Sequence, residues 1–200
     1  MKSVNNILKQ KKYQLILASK SKRRQDLLKK LKIPFIIRVS KVIEKFQNKN
    51  IKQEIMANTL LKAKSIDYSK KALVIAGDTV IVYNNRVFGK PKNRSEAKRF
   101  LLTLSGKTHQ VLTGLIVYNN VSKKLEKALV TTKVTFKKLS AQDIKSYLAI
   151  GEYKDKAGGY GIQAKGSFLV SKVVGDYNNV VGLPLTKLID LLKKACKKIK

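Results

Sequence analysis

Apolar and polar residues along this chain are patterned in a way that predicts short strands interleaved with amphipathic helices. Strand-like apolar runs occur at residues 15–18, 33–39, 73–76, 80–83, 108–118, 129–136 and 168–174. Apolar residues at helical spacing occur at residues 25–31, 51–66, 93–104, 140–150 and 184–199. Residues 1–13 are polar and basic, so we expect a loose N-terminal extension followed by a single domain over residues 14–200.

The stretch at residues 73–91 places an acidic residue, Asp78, between two apolar strand-like segments. Asn84 and Asn85 follow the second segment and predict a tight hairpin turn, because asparagine tolerates positive φ. A carboxylate is costly to bury unless a cation pairs with it, and either Lys90 or a metal ion would serve. The alternative is a partly exposed aspartate at a strand edge, and the spacing alone leaves both open.

A basic loop rich in hydroxyl groups joins the first predicted strand to the first predicted helix. It contains Ser19, Ser21, Arg23 and Arg24. A helix N-terminus presents unpaired N–H groups, so hydroxyls and arginines beside it are typical of a phosphate-binding loop. The alternative is a capped amphipathic helix with solvated arginines.

Two further features carry less specific signals. His109 is the only histidine, and a single histidine without a second metal ligand favours a structural role. Residues 155–163 are dense in glycine, which lets the backbone approach a ligand closely or adopt strained angles. The order strand, GxGxxG, helix is absent there, so this segment is not a dinucleotide-binding fingerprint.

The balance of charge is strongly basic. There are 44 lysine and arginine residues against 12 acidic ones, for a formal net charge of +32. Such a field attracts polyanions, including nucleic acid, membrane surfaces and nucleotides. However, only six of these cations are arginine, the lysines are spread along the whole chain, and tryptophan is absent. A generally basic composition and a dedicated nucleic-acid surface both remain open as explanations.

Cysteine content and hydropathy set the expected compartment. Cys196 is the only cysteine, which excludes an intramolecular disulfide framework and a cysteine zinc cluster. No apolar run reaches about 18 residues, and the N-terminus lacks the apolar core of a signal peptide. We therefore expect a cytoplasmic protein with no membrane association.

Taken together, the motifs resemble those of the Maf family of nucleoside triphosphate pyrophosphatases over about residues 15–193. The matching blocks, in the family's order and spacing, are LILASKSKRRQDLL, KAKSI, AGDTVIV with VFGKP, LSGKTHQVLTG, DKAGGYGIQ and GDYNNVVGLP. The resemblance implies an α/β fold with an elongated mixed sheet flanked by helices and two lobes around a central cleft. It also implies a nucleoside triphosphate substrate, attack of water on the α-phosphorus, and release of pyrophosphate.

The resemblance carries site roles onto individual residues. Asp78 matches the catalytic acidic residue, and Glu44 matches a second acidic position expected to share a divalent metal with Asp78. The metal is usually Mg²⁺, with Mn²⁺ as the alternative. The residues that match positions binding the triphosphate are Ser19, Arg23, Arg24, Lys62 and Lys90. A homodimer is common in the family.

Three positions match the subgroup that acts on dTTP and UTP, namely Arg23, Thr79 and Gln163. The chain departs from the usual family pattern at Lys22, where proline is typical, and at Ile43, where an acidic residue is typical.

The competing hypothesis is a basic, nucleic-acid-associated cell-division factor without catalysis. That hypothesis predicts non-specific, salt-sensitive nucleic-acid binding.

Overall fold

The computed structural model describes residues 2–47 and 49–199, and its described strands form one seven-stranded mixed sheet flanked by helices. The strands, numbered in chain order, are β1 (Gln14–Leu17), β2 (Ile36–Ile37), β3 (Ala72–Tyr83), β4 (Arg86–Phe88), β5 (Thr108–Asn119), β6 (Leu125–Phe136) and β7 (Val170–Val174). Their order in the sheet is β2-β1-β3-β5-β6-β7, and β4 pairs with β3 outside this path. β1 runs parallel to β2 and to β3, whereas β3–β4 and β6–β7 are antiparallel. The α/β class expected from the sequence is confirmed.

The helices are α1 (Lys2–Gln10), α2 (Lys22–Lys29), α3 (Ile51–Lys64), α4 (Arg94–Leu104), α5 (Ala141–Ile150), α6 (Tyr177–Val181) and α7 (Leu185–Lys197). Short 3₁₀ segments lie at Ala157–Gly159 and Ala164–Leu169. Among the residues that the structure describes, no helix has the length and apolar content needed to span a bilayer.

The chain divides into two compact units. Unit 1 comprises Met1–Asp78, Thr113–Val130 and Gly182–Lys200, and unit 2 comprises Thr79–Leu112 and Thr131–Val181. One buried apolar cluster of unit 1 draws on β1, α3, β3 and β5, and the cluster of unit 2 is built around aromatic and leucine side chains of β4, α4, β6 and α5. A single domain over residues 14–200 remains a prediction.

The N-terminal segment differs from the loose extension expected over residues 1–13. Lys2–Gln10 is helical, Val4 and Leu8 are buried, and α1 packs against α7. Val4 and Leu8 are four residues apart and therefore share one face of the helix. Two apolar residues at this spacing are enough to dock a short polar helix that has little helical preference by itself.

Of two strand regions predicted from the sequence, one is confirmed by the structure and the other is shorter than expected. The hairpin at residues 80–88 is confirmed, because Ile81 pairs with Phe88 and both turn asparagines have positive φ, 47° at Asn84 and 56° at Asn85. The strand expected over residues 33–39 is wrong in extent, because only Ile36–Ile37 pairs with β1. Pro34 has no N–H to donate to a strand ladder, which limits pairing at its start.

Candidate active site

A lysine lies between two carboxylates in unit 1. Lys62 Nζ donates to Asp78 Oδ1 at 2.9 Å and also to Glu44 Oε1. The Asp78 side chain is only 3% exposed, that of Lys62 is 9% exposed, and that of Glu44 is 34% exposed. Asp78 is therefore a buried, paired carboxylate within the continuous strand β3, and the partly exposed alternative is wrong. Its cation partner is Lys62 on α3, where the sequence suggested Lys90 or a metal.

Close packing of α3 on β5 brings Lys62 to this position. A Cβ on Gly114 of β5 would lie 2.6 Å from Thr59 Oγ1 and 2.8 Å from Ile55 Cγ2, so only glycine permits this approach. Thr59 is itself fully buried, and its hydroxyl donates to Ile55 O at 2.7 Å. Lys62 lies three residues after Thr59, on the same side of the helix.

Asn58, which the sequence analysis did not identify, fixes the segment that carries Glu44. Its side-chain amide donates to Lys45 O at 2.9 Å and accepts from Lys45 N at 3.4 Å. The side chain is buried, and it is four residues before Lys62 on α3. The available signal was a group of polar residues, Asn58, Thr59 and Lys62, close together on a helix whose neighbouring positions are apolar.

Burial is the main influence on the pKa of the Asp78 carboxyl group. Desolvation raises its pKa above the usual aspartate value, the negative charge of Glu44 adds to this, and Lys62 and Arg24 oppose it. Asp78 Oδ2 is buried and has no hydrogen-bond partner among the described residues. A buried acceptor oxygen without a partner is costly, so this atom is suited to a ligand that is absent from the protein alone.

The carboxylate oxygens of Asp78 and Glu44 are suitable ligands for a hard divalent cation. Mg²⁺ prefers oxygen ligands and commonly binds through one or two carboxylates, completed by water and substrate phosphates. Asp78 and Glu44 supply two such carboxylates beside each other, and Asp78 Oδ2 has acceptor capacity to spare. Within the described part of the chain, no group of three or more His, Cys, Asp or Glu residues could hold a metal ion. A cation here would therefore depend on phosphate and water for its remaining ligands.

The loop before α2 is organised around Arg24. Arg24 Nε donates to Gly182 O at 2.8 Å, and its Nη1 donates to Ser19 Oγ at 3.4 Å. Desolvation lowers the pKa of Arg24, while the charges of Asp78 and Glu44 act in the opposite direction. Ser21 is the N-cap residue but makes no side-chain capping bond, and the Ser19 hydroxyl accepts from Ser21 N at 3.2 Å. Of the alternative, a capped amphipathic helix with solvated arginines, the side-chain cap at Ser21 is absent and Arg24 is hydrogen-bonded within the protein.

The sequence-predicted residues fall in both units. In unit 1 the structure brings together Ser19, Arg24, Glu44, Lys62 and Asp78, and Arg23 is half-buried next to Arg24 along α2. In unit 2, Thr79 is half-buried on β3, Lys90 is exposed just after β4, and Gln163 is exposed just before the 3₁₀ segment Ala164–Leu169.

The comparison with known families bears directly on this arrangement. The model of the Maf-like protein family matches residues 14–195. The chain belongs to the Maf family. This match confirms the resemblance drawn from the six motif blocks, which include Asp78 and Arg24.

Several Maf family relatives share the name dTTP/UTP pyrophosphatase. The protein of Alkaliphilus metalliredigens (strain QYMF) is 44% identical over 184 residues, covering 90% of this chain and 95% of the relative. That of Bacillus cereus (strain Q1) is 42% identical over 182 residues, covering 90% and 94%. That of Dictyoglomus thermophilum is 40% identical over 188 residues, covering 92% and 96%.

Proposed function

We propose that this Maf family protein hydrolyses dTTP and UTP to the corresponding nucleoside monophosphate and pyrophosphate. The name of its relatives supports this activity. The observation that carries the proposal is the buried Asp78 carboxylate, which has one unpartnered oxygen and lies beside Lys62, Glu44 and Arg24. A carboxylate base with the cations Lys62 and Arg24 beside it suits phosphoryl transfer to water.

In this mechanism Asp78 accepts the proton of the attacking water. The water oxygen bonds to the α-phosphorus, the bond from that phosphorus to the bridging oxygen breaks, and pyrophosphate leaves with the electron pair. Burial raises the pKa of Asp78, which makes the carboxylate a stronger base than an exposed aspartate. Lys62 orients Asp78 through the 2.9 Å hydrogen bond and keeps Glu44 beside it.

The remaining cations stabilise the phosphates. Arg23, Arg24, Lys62 and Lys90 are proposed to bind triphosphate oxygens, with the Ser19 hydroxyl as an additional ligand. Arg24 is already oriented by Gly182 O and Ser19 Oγ, so little side-chain freedom is lost when phosphate binds. Removing one such donor from a preorganised site costs about 2–4 kcal/mol of transition-state stabilisation.

A divalent cation, Mg²⁺ or alternatively Mn²⁺, is proposed to bind at Asp78 and Glu44. When bound, it neutralises phosphate charge and lowers the pKa of water. The chain itself would supply two ligands, the carboxylates of Glu44 and Asp78, and the Oδ2 atom of Asp78 is buried without a partner among the described residues. Ile43, where the family usually has an acidic residue, is 81% exposed and adds no ligand.

Selectivity for uracil and thymine is proposed to depend on Arg23, Thr79 and Gln163. These bases present an N–H donor between two carbonyl acceptors, whereas cytosine presents an amino donor and a ring-nitrogen acceptor. The Gln163 amide can donate to a carbonyl and accept from the ring N–H at the same time, and it selects uracil over cytosine as long as it is held in that orientation, because the reversed amide would match cytosine. Preference for CTP over UTP would contradict this assignment.

The deciding experiment measures pyrophosphate release from a panel of nucleoside triphosphates with Mg²⁺ and with Mn²⁺. We expect turnover of dTTP and UTP that falls by about 100-fold or more in Asp78→Asn, since a positioned base contributes at least that factor. Asp190→Asn is the matched control, because it removes the same charge from an exposed position on α7. Absence of turnover of every triphosphate by the wild-type protein would overturn the proposal.

The charge of +32 favours a second candidate function, the non-specific binding of nucleic acid, which the hypothesis of a cell-division factor also predicts. Such binding would persist in Asp78→Asn, so the same variant separates it from catalysis. A homodimer and a cytoplasmic location also remain predictions.

A further inference from the structure

Three anchors in unit 2 hold the glycine-dense segment that precedes and includes Gln163. Gly158 N donates to Gly89 O at 2.9 Å. The Tyr160 hydroxyl is hydrogen-bonded to His109 Nε2 at 2.7 Å. Gly161 N donates to Tyr147 Oη at 3.1 Å. Consecutive stretches of the segment are thus tied to the loop after β4, to β5 and to α5.

Glycine is required where this segment packs most closely. Gly158 has a φ of 67°, and a Cβ there would lie 2.4 Å from Ile81 Cδ1. A Cβ on Gly166 would lie 1.9 Å from Gly161 O, so the chain folds back onto itself around Gln163. Gly166 N donates to Gln163 O at 3.2 Å and closes this turn. The backbone on both sides of Gln163 is therefore fixed, although its side chain is exposed.

The His109–Tyr160 contact is buried within an aromatic cluster. His109 is 1% exposed and Tyr160 is 5% exposed, and both rings pack edge-on against Phe136 with centroid distances of 5.0 and 4.6 Å. Apolar side chains of similar size would fill this space without the cost of burying an imidazole and a hydroxyl. A buried polar pair in such a place specifies one orientation of the groups it joins.

We propose that His109, Tyr147 and Tyr160 are positioning residues for base selection, which act by holding the segment at residues 158–166 so that Gln163 faces the nucleobase in one orientation. This inference rests on the proposed function, because it assigns these residues to the selectivity of the same reaction. None of the three is proposed to contact the reacting phosphate, so their loss should alter base recognition more than chemistry.

The experiment compares Tyr160→Phe, Tyr147→Phe and His109→Leu with wild type for UTP, dTTP and CTP. Each substitution removes one hydrogen bond of the segment while keeping an apolar side chain in the core. We expect KM for UTP to rise about fivefold or more, since a hydrogen bond contributes about 1 kcal/mol, with kcat changed less than KM. The ratio of kcat/KM for UTP to that for CTP should fall.

Two controls separate positioning from general loss of stability. Tyr118→Phe removes a hydroxyl from a buried tyrosine of unit 1 and should leave the UTP to CTP ratio unchanged. His109→Gln keeps an amide nitrogen near the place of Nε2 and should restore much of the selectivity lost in His109→Leu. Thermal unfolding of each variant identifies any that fails to fold, and Tyr147→Phe decides the matter if Tyr160→Phe does not fold.

The outcomes distinguish this inference from the proposed function. Wild-type protein without activity on UTP and dTTP would overturn the proposed function itself. Wild-type activity whose selectivity is lost in Gln163→Ala but retained in Tyr160→Phe and Tyr147→Phe would overturn only the positioning role. An equal loss of kcat/KM for all triphosphates, in step with thermal stability, would also overturn it.

Discussion

Lys62 joins two carboxylates of unit 1, and we expect the stability of that unit to depend on it. Its ammonium group is shared by Asp78 and Glu44, and the contact with Asp78 is almost fully buried. We expect Lys62→Met to lower the free energy of unfolding by about 3 kcal/mol, because it leaves a buried carboxylate without its cation. Urea unfolding followed by circular dichroism measures this change.

The matched control for Lys62 is the double variant Lys62→Met with Asp78→Asn. Removing both partners eliminates the buried charge at position 78 and leaves only the more exposed Glu44 without its cation, so the double variant should be more stable than Lys62→Met alone. If Lys62→Met is as stable as wild type, the ion pair seen between Lys62 and Asp78 does not contribute to folding.

Because His109 is buried, we expect the free energy of unfolding to decrease in acid. Burial lowers its pKa to about 4 from a usual value of 6.5, so between these values the unfolded chain binds a proton that the folded protein excludes. Stability should therefore fall as pH decreases from 6.5 toward 4, by up to about 3 kcal/mol. Urea unfolding across this pH range measures the slope, and the slope should be shallower in His109→Gln. Identical slopes would contradict a neutral, buried His109.

The sequence alone allowed correct predictions for residues whose roles follow from their immediate neighbours in the chain. Asp78 was identifiable because a carboxylate stands between apolar strand segments, and the Asn84–Asn85 turn follows from the φ preference of asparagine. The partner of Asp78 was not identifiable from spacing. Lys62 is 16 residues away, and although the family resemblance marked it as a phosphate-binding residue, nothing in its spacing indicates that it pairs with Asp78.

At the scale of elements, the contact between α3 and β5 depends on Gly114. We expect Gly114→Ala to destabilise the protein by about 1–3 kcal/mol, because its Cβ would overlap Thr59 and Ile55. Activity should fall as well, since displacement of α3 moves Lys62. Gly89→Ala is the stability control, because nothing lies within 4 Å of its added Cβ. Equal unfolding midpoints for the two variants would contradict the close packing at Gly114.

Helices with a long apolar periodicity were predictable, and short elements stabilised by their neighbours were not. α3 and α5 lie within a few residues of their expected ranges, and Ser140 forms a capping box with Asp143 at the start of α5. α1 was missed because its two buried residues, Val4 and Leu8, become significant only when α7 covers them. Tertiary packing, rather than helix propensity, determines such elements.

At the scale of the whole molecule, the charge of +32 should affect capture of the substrate more than its hydrolysis. A positive field attracts a triphosphate over a distance of about one Debye length, roughly 8 Å at physiological ionic strength. We therefore expect KM for UTP to rise with added KCl while kcat changes little, in steady-state assays at constant free Mg²⁺.

Measurements of DNA binding test whether the positive charge acts as a general electrostatic field or forms a dedicated nucleic-acid-binding surface. Affinity for duplex DNA, measured by fluorescence anisotropy, should also fall with KCl and should be unchanged in Asp78→Asn, because that residue is buried and far outnumbered by surface lysines. Competition by DNA that raises KM for UTP without changing kcat would show that both anions are drawn by the same field. A kcat that falls with salt while KM stays constant would contradict this role of the charge.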